Sequence, residues 1–198
     1  TGAGGSIGSE ICRQILPFKP ATLLLIDHSE ADLYKIHQGL ISNLNLDQKN
    51  QENKLVIPFL TSVREVETLK KIFNKWQPHI VYHAAAYKHV PIVEVNPAAG
   101  ILNNVFGTLA ISSVAKDFKT SYFVLISTDK AIRPTNIMGV SKRISELILQ
   151  AFANNSQTIF TMVRFGNVLA SSGSVIHKFK KQIAEGGPLT ITDFRMTR

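Results

Sequence analysis

A single cysteine, Cys12, stands among 198 residues, so no internal disulfide can form and a reducing, cytoplasmic setting is expected. The succession of charged, apolar and small residues that marks a secretory leader is missing. The longest apolar runs, such as ATLLLI and IVYHAAAY, fall far short of the roughly 18 residues that cross a bilayer, so no span is expected within these residues. Acidic residues are few: 14 Asp plus Glu face 22 Lys plus Arg, a formal net charge of +8 that favours an anionic partner. The basic residues are scattered, and neither an aromatic stacking platform nor a base-reading motif accompanies them, so nucleic acid is excluded as the expected partner. His83 and His89 lack a metal-ligand spacing; both read as hydrogen-bonded structural histidines, and no metal site is expected. Internal repeats and low-complexity tracts are absent as well, which removes solenoids and disordered linkers from consideration.

What remains is an alternation. With 44% hydrophobic residues the chain can bury one sizeable core, and one domain is expected. Strand-like runs, ATLLLID, KLVIPFL, HIVYHAA, SYFVLIST and TIFTMVRFG, are separated by longer segments of helical period. That order predicts an α/β fold, a doubly wound parallel sheet covered by helices on both faces. Ser29 with Asp32 resembles a capping box, Pro17 stops the first helix, and Thr135 or Asn136 caps the helix after STDKAIRP. This cap places Met138, Lys142 and Glu146 on one helical stripe.

The opening TGAGGSIGSE reads as a phosphate-cradling turn. Gly2 allows the tight turn, Gly5 lets backbone approach a pyrophosphate, and Gly8 lets the helix pack closely. Ser6 and Ile7 begin that helix, whose N-terminus offers unpaired N–H groups and the positive end of its dipole. Ile7, Ile11 and Ile15 supply its apolar stripe. Asp27 ends the run LLLID 19 residues after Gly8, where a carboxylate receives the adenosine ribose hydroxyls, and it favours NAD over NADP. Ala84, Ala85 and Ala86 are small enough to let a flat cofactor lie against the sheet edge. A strand normally precedes such a turn, so the central strand is expected upstream of Thr1.

The stretch VLISTDKAIRPTNIMGVSKRISE carries Thr128, Asp129 and Lys130 at the carboxyl end of a strand, where open α/β sheets bind ligands. Neighbouring strand residues point to opposite faces, so Asp129 and Lys130 reach one ligand only if the strand has already ended in a turn. By residue type alone a surface ion pair is an equal reading of the two. Met138 would then be core filler and Lys142 a surface helix residue.

In TGAGGSIG, IDHSE, HAAAYKHVPIVEVNP, NVFGT, LISTDKA, PTNIMGVSK, VRFGNVLASSGSV and the closing TR, the chain resembles extended short-chain dehydrogenase/reductases across nearly its whole length. Within them it is similar to the CapD-like polysaccharide-biosynthesis group and the UDP-N-acetylglucosamine 4,6-dehydratases. The superfamily's Tyr-x-x-x-Lys frame reads here Met138 to Lys142, a departure that the larger CapD-like members share. The resemblance implies one NAD-binding Rossmann domain over 1–198, with 166–198 beginning a substrate-binding region whose end lies beyond Arg198.

It further implies NAD as cofactor, a UDP-sugar such as UDP-GlcNAc as substrate, a homo-oligomer, and membrane attachment only through segments outside this sequence. The implied reaction is an internal redox cycle: oxidation at sugar C4, removal of the C5 proton, loss of water across C5 and C6, and hydride return to C6. Lys130 would be a neutral base at C5, Asp129 a protonated acid for the C6 hydroxyl, and Thr128 a hydrogen-bond partner of the C4 oxygen. Lys142 would hold the nicotinamide ribose. Lys88, Asn167, Ser174 and Arg198 would hold the UDP-sugar, although a capping serine and an exposed arginine are equal readings of the last two. A UDP-sugar 4-epimerase and a non-catalytic nucleotide-sensing scaffold are the alternatives; the Thr-Asp-Lys set argues against both.

Overall fold

Five short runs rich in β-branched and apolar residues form parallel strands in the computed structural model, which describes residues 1–43, 55–168, 175–191, 193 and 195. Strands β1 (Leu23–Asp27) and β2 (Val56–Leu60) pair in register Leu23 to Val56. Strand β4 (Tyr122–Ile126) lies between β3 (Ile80–His83) and β5 (Ile159–Val163). The backbone of Thr1 to Ala3 links the two sheets. Ala3 N donates to Ile26 O (3.3 Å), Thr1 N to Tyr82 O (2.7 Å), and Ala84 N to Thr1 O (3.0 Å).

The helices are α1 (Ser6–Ile15), α2 (Glu30–Asn43), α3 (Val66–Trp76), α4 (Val90–Val95), α5 (Pro97–Ile101), α6 (Gly107–Asp117), α7 (Ile137–Ala153) and α8 (Val175–Ala184). Their ends follow local chemistry. Helix α1 stops where Pro17 enters a 3₁₀ turn. Ser29 Oγ accepts from the Asp32 amide (3.4 Å), but the Ser29 amide is taken by Asp27 rather than by Asp32. Of the two candidate caps for α7 it is Asn136 that serves, its side chain accepting from Gly139 N at 2.8 Å.

One core joins α3, α6 and α7 to the larger sheet through Leu69, Phe73, Ile111, Phe123, Leu125 and Leu149. A second packs Cys12, Leu33, Ile36 and Leu40 against Leu25 and Val56. In α1 the buried residues are Gly8, Ser9 and Cys12, while Ile7, Ile11 and Ile15 are only half-buried. Between α5 and α6 a π-helical turn, Leu102–Phe106, interrupts the helix. The joined run Pro97–Asp117 is, by length and composition, apolar enough to cross a membrane. Asn and Thr punctuate the run, so no long contiguous apolar stretch marks it in the sequence; its inner face, Ile111, Val114 and Ala115, belongs to the core.

The chain divides into two compact units, Thr1–Gly166 and Asn167–Arg198. In the second, α8 is followed by Gly186 and Gly187, both at positive φ, and Thr190 N donates to Gln182 Oε1 at 3.2 Å.

Candidate active site

The glycine-rich turn is built by close approach. Gly2 sits at φ +66°, and a Cβ there would come within 2.6 Å of Ala85 N. A Cβ on Gly8 would run into the Gly2 carbonyl oxygen, so helix and turn pack backbone to backbone. Gly4, which the spacing rule passes over, is equally constrained: its Cβ would meet Asp32, and its N–H donates to Asp27 Oδ2 at 2.9 Å. The other Asp27 oxygen accepts from Ser29 N at 2.9 Å. The buried Asp27 carboxylate therefore ties the turn to the start of α2. Two backbone bonds leave acceptor capacity on its oxygens for a ligand hydroxyl.

Around this turn lies a cleft of about 350 Å³ lined by Gly2, Gly5, Asp27 and Ala84 to Ala86, among others. Gly5 caps α1 without any side-chain bond, so the helix end faces the cleft as bare backbone. Ser6 and Ile7 open the helix but do not line the cleft, and Gly8 serves packing. Glycine backbone, a buried carboxylate at a strand end and three alanines fit a dinucleotide's adenosine and pyrophosphate.

Behind the alanines, His83 is fully buried between Thr1 Oγ1 (2.6 Å) and Thr108 Oγ1 (3.0 Å). Thr108 spends its only hydroxyl proton on Asn104 O (2.6 Å), so it accepts from His83 Nε2–H, and Nδ1 accepts from Thr1. Burial, aided by nearby Lys142, holds the imidazole pKa well below its usual value, so the ring is neutral. It is a structural histidine.

Strand β4 ends at Ile126, and Asp129–Ala131 form a 3₁₀ turn whose first amide partner is Thr128 Oγ1, 3.4 Å from Lys130 N. The turn that lets two consecutive side chains serve one site is thus present. Asp129 Oδ1 accepts from Thr128 Oγ1 (2.9 Å) and from Lys130 Nζ (3.1 Å). Burial is the largest single influence on the Asp129 pKa and pushes it up, but the bonds from Thr128 and Lys130 and the Lys130 charge together outweigh it and leave the pKa below the ordinary value. Here the structure differs from the expected neutral pair: Asp129 is ionised and paired, with its side chain 54% exposed. Exposure keeps both charges solvated, which an enclosed site would not.

Lys142 corrects the residue-type reading of an exposed helix lysine. It is 5% exposed and donates to Ile126 O at 2.7 Å. Burial pulls its pKa down to about 8, against an upward push from Glu146 one turn on. Met138, one turn before, is 4% exposed, and a Cβ on Gly139 would collide with the Lys130 carbonyl oxygen. Helix α7 thus presses directly on the Asp129–Lys130 turn.

The cleft and this cluster are bridged by Asn104, which residue typing did not single out. Its side chain accepts from Tyr87 N (2.7 Å) and donates to Tyr87 O and Ser141 Oγ (both 2.9 Å). Its position in a π-helical turn is the kind of irregularity that marks functional sites. Neither Thr128, Asp129, Lys130, Met138 nor Lys142 lines the 350 Å³ cleft itself. Lys88 is exposed just before α4, and Asn167 is exposed in the second unit. Ser174 and Arg198 lie outside the described residues. Among the described residues no cluster of metal-ligating side chains occurs.

The pattern that defines a family of polysaccharide biosynthesis proteins matches residues 1–198. The chain belongs to that family. The capsular polysaccharide biosynthesis protein CapD of Staphylococcus aureus is 48% identical over the whole chain, which covers 32% of it. An inverting UDP-N-acetylglucosamine 4,6-dehydratase of Campylobacter jejuni is 35% identical (100% of this chain, 57% of that protein). A UDP-glucose 4-epimerase of Rickettsia rickettsii is 33% identical (100% and 56%). The chain thus spans about a third to just over half of the length of these relatives. Among solved structures, Pen from Bacillus thuringiensis superposes with a TM-score of 0.86 at 31% identity, covering 98% of this chain and 57% of that one. DesIV, a dTDP-glucose 4,6-dehydratase from Streptomyces venezuelae solved with NAD, gives 0.75 at 24%, covering 95% and 62%. The fold is the Rossmann-type α/β fold of the extended short-chain dehydrogenases.

Proposed function

We propose that this chain carries the NAD-binding and reacting residues of a cytoplasmic UDP-N-acetylglucosamine 4,6-dehydratase serving surface polysaccharide synthesis. The observation that carries the reading is the Thr128–Asp129–Lys130 turn at the end of β4, with buried Lys142 bonded to the last carbonyl of that strand. An epimerase has no use for an acid and a base at C5 and C6.

Bound NAD would supply the acceptor and then the donor of the hydride that leaves C4 and returns at C6. Gly2, Gly5 and the start of α1 would hold its pyrophosphate, Asp27 its adenosine ribose, and Lys142 its nicotinamide ribose. Thr128 positions the sugar C4 oxygen. A hexose seated on the turn strips water from Asp129 and Lys130, and burial then disfavours both charges. Passing one proton from Lys130 Nζ to Asp129 Oδ1, across 3.1 Å, yields the neutral base for C5 and the protonated acid for the C6 hydroxyl together. The C4 hydroxyl proton leaves through Lys142 and water, the C5 proton goes to Lys130, and the Asp129 proton leaves with the C6 oxygen as water; once the hydride has returned to C6, Lys130 gives a proton back to C5, and the product is a 4-keto-6-deoxy sugar. Asn167, Ser174 and Arg198 are the candidates for the UDP phosphates and base, and Lys88 is a candidate near the sugar.

The test is to incubate the full-length protein with UDP-GlcNAc in deuterated water and to read the product by NMR. Deuterium at C5 beside a C6 methyl group supports dehydration. Inversion at C4 alone means epimerisation, and absence of turnover despite bound NAD means a nucleotide-holding scaffold. In Lys130→Ala, C5 exchange is lost while NAD binding stays; retained exchange removes Lys130 from the base role.

A further inference from the structure

Behind the reacting turn lies a carboxylate that the reaction does not use. Glu146, on α7, is fully buried. Its Oε1 accepts from Ser127 Oγ (2.6 Å) and Arg164 Nε (2.7 Å), and its Oε2 from Arg164 Nη2 (2.5 Å) and Arg143 Nη1 (3.0 Å). Ser127 is the first residue after β4 and Arg164 the first after β5. Past the end of β4 the two segments stay paired, Ser127 N to Val163 O (2.8 Å) and Asp129 N to Phe165 O (3.1 Å).

We propose that Glu146 is a positioning residue: its carboxylate clamps the carboxyl ends of β4 and β5 onto α7 and so fixes the Thr128–Lys130 turn against the helix that bears Lys142. The proposal rests on the dehydratase reading for its catalytic consequence. A buried ion cluster is poor as plain stabiliser, since well-packed apolar residues serve as well. Geometry is what it supplies: a bidentate arginine fork and a short hydroxyl bond set direction as well as distance. Both bonds attach one residue ahead of segments whose placement decides whether acid and base face the same hexose. The clamp also sets the field at Lys142: among the described residues, Glu146 on its own helix raises its pKa, and neutral His83 on β3 feels the Lys142 charge in turn.

The test compares full-length wild type, Glu146→Gln and Ser127→Ala with NAD and UDP-GlcNAc. In Glu146→Gln, kcat falls by about 10²-fold, the scale of a small misplacement of reacting groups, while KM and NAD affinity change little. Ser127→Ala cuts only the β4 tie and gives a smaller loss in kcat. Loss of the Glu146 charge removes the upward push on the Lys142 pKa, so the basic limb of the pH–rate profile moves to lower pH in Glu146→Gln and stays in place in Ser127→Ala. A folded Glu146→Gln with wild-type kcat and an unmoved limb overturns the proposal; should that variant not fold, unchanged kcat in Ser127→Ala does so. Amide hydrogen exchange at 127–131 reads the clamp without turnover. Faster exchange in both variants supports it even where wild type fails to dehydrate UDP-GlcNAc, and unchanged exchange overturns it.

Discussion

Acidification probes the Glu146 cluster directly. Burial alone would raise the Glu146 pKa, but the bonds from Arg164, Ser127 and Arg143 bring it down from 4.5 to about 2. A carboxylate with a depressed folded pKa binds fewer protons folded than unfolded. Its contribution is therefore complete above pH 4.5 and is lost as pH falls through the folded value near 2. A difference of about 2.5 pH units corresponds to on the order of 3 kcal/mol at neutral pH. The perturbation is Glu146→Gln, which fills the same volume and cannot titrate. Urea unfolding of wild type and variant at a series of pH values from 7 to 3 gives the assay. The stability gap between them should be widest at pH 7 and shrink steadily below pH 4.5, as the wild type alone loses this term. A gap that stays constant over that range would show that the carboxylate is not held ionised by its arginines, and the account of the cluster would fall.

Gly139→Ala should destabilise by roughly 1–3 kcal/mol, the usual cost of overpacking, because its Cβ meets the Lys130 carbonyl. At an unobstructed helical site the same change stabilises, so a raised Tm would refute the close contact. Asp27→Asn sets an amide donor against the N–H of Gly4 or Ser29; a loss of roughly 1.5–3 kcal/mol, or about 10- to 100-fold in NAD affinity by calorimetry, is expected. An unchanged Kd removes Asp27 from the cofactor site. His83 is held neutral with a depressed pKa, so it contributes stability above its unfolded pKa of 6.5 that declines as pH falls below that value. His83→Gln should flatten the dependence of the urea midpoint between pH 7 and 5, and an unaltered slope would place the titration elsewhere.

Much of the site could be read by eye because its chemistry is local. A glycine turn needs glycine at fixed offsets, a cap needs Asn or Ser just before a periodic run, and a catalytic pair at a strand end needs a turn to follow. Gly4 escaped because its constraint comes from Asp32, 28 positions along the chain, and not from the turn's own spacing. Asn104 escaped because what distinguishes it, a π-helical turn and two bonds to Tyr87, has no periodic signature. The stripe Met138, Lys142, Glu146 was visible as a stripe, but periodicity says which residues share a face and not what the face meets.

The sequence by itself determined the order of strands and helices, the glycine turn with its carboxylate, and the presence of Thr128, Asp129 and Lys130 where a strand stops. These follow from φ/ψ preferences, hydrophobic period and capping, all of which act over a few residues. Only the tertiary structure decided that Lys142 is buried against Ile126, that Glu146 joins two strand ends through Arg164 and Ser127, and that Asp129 stands ionised beside Lys130. Charge state and burial depend on what long-range packing brings near, and that distance along the chain leaves no local mark.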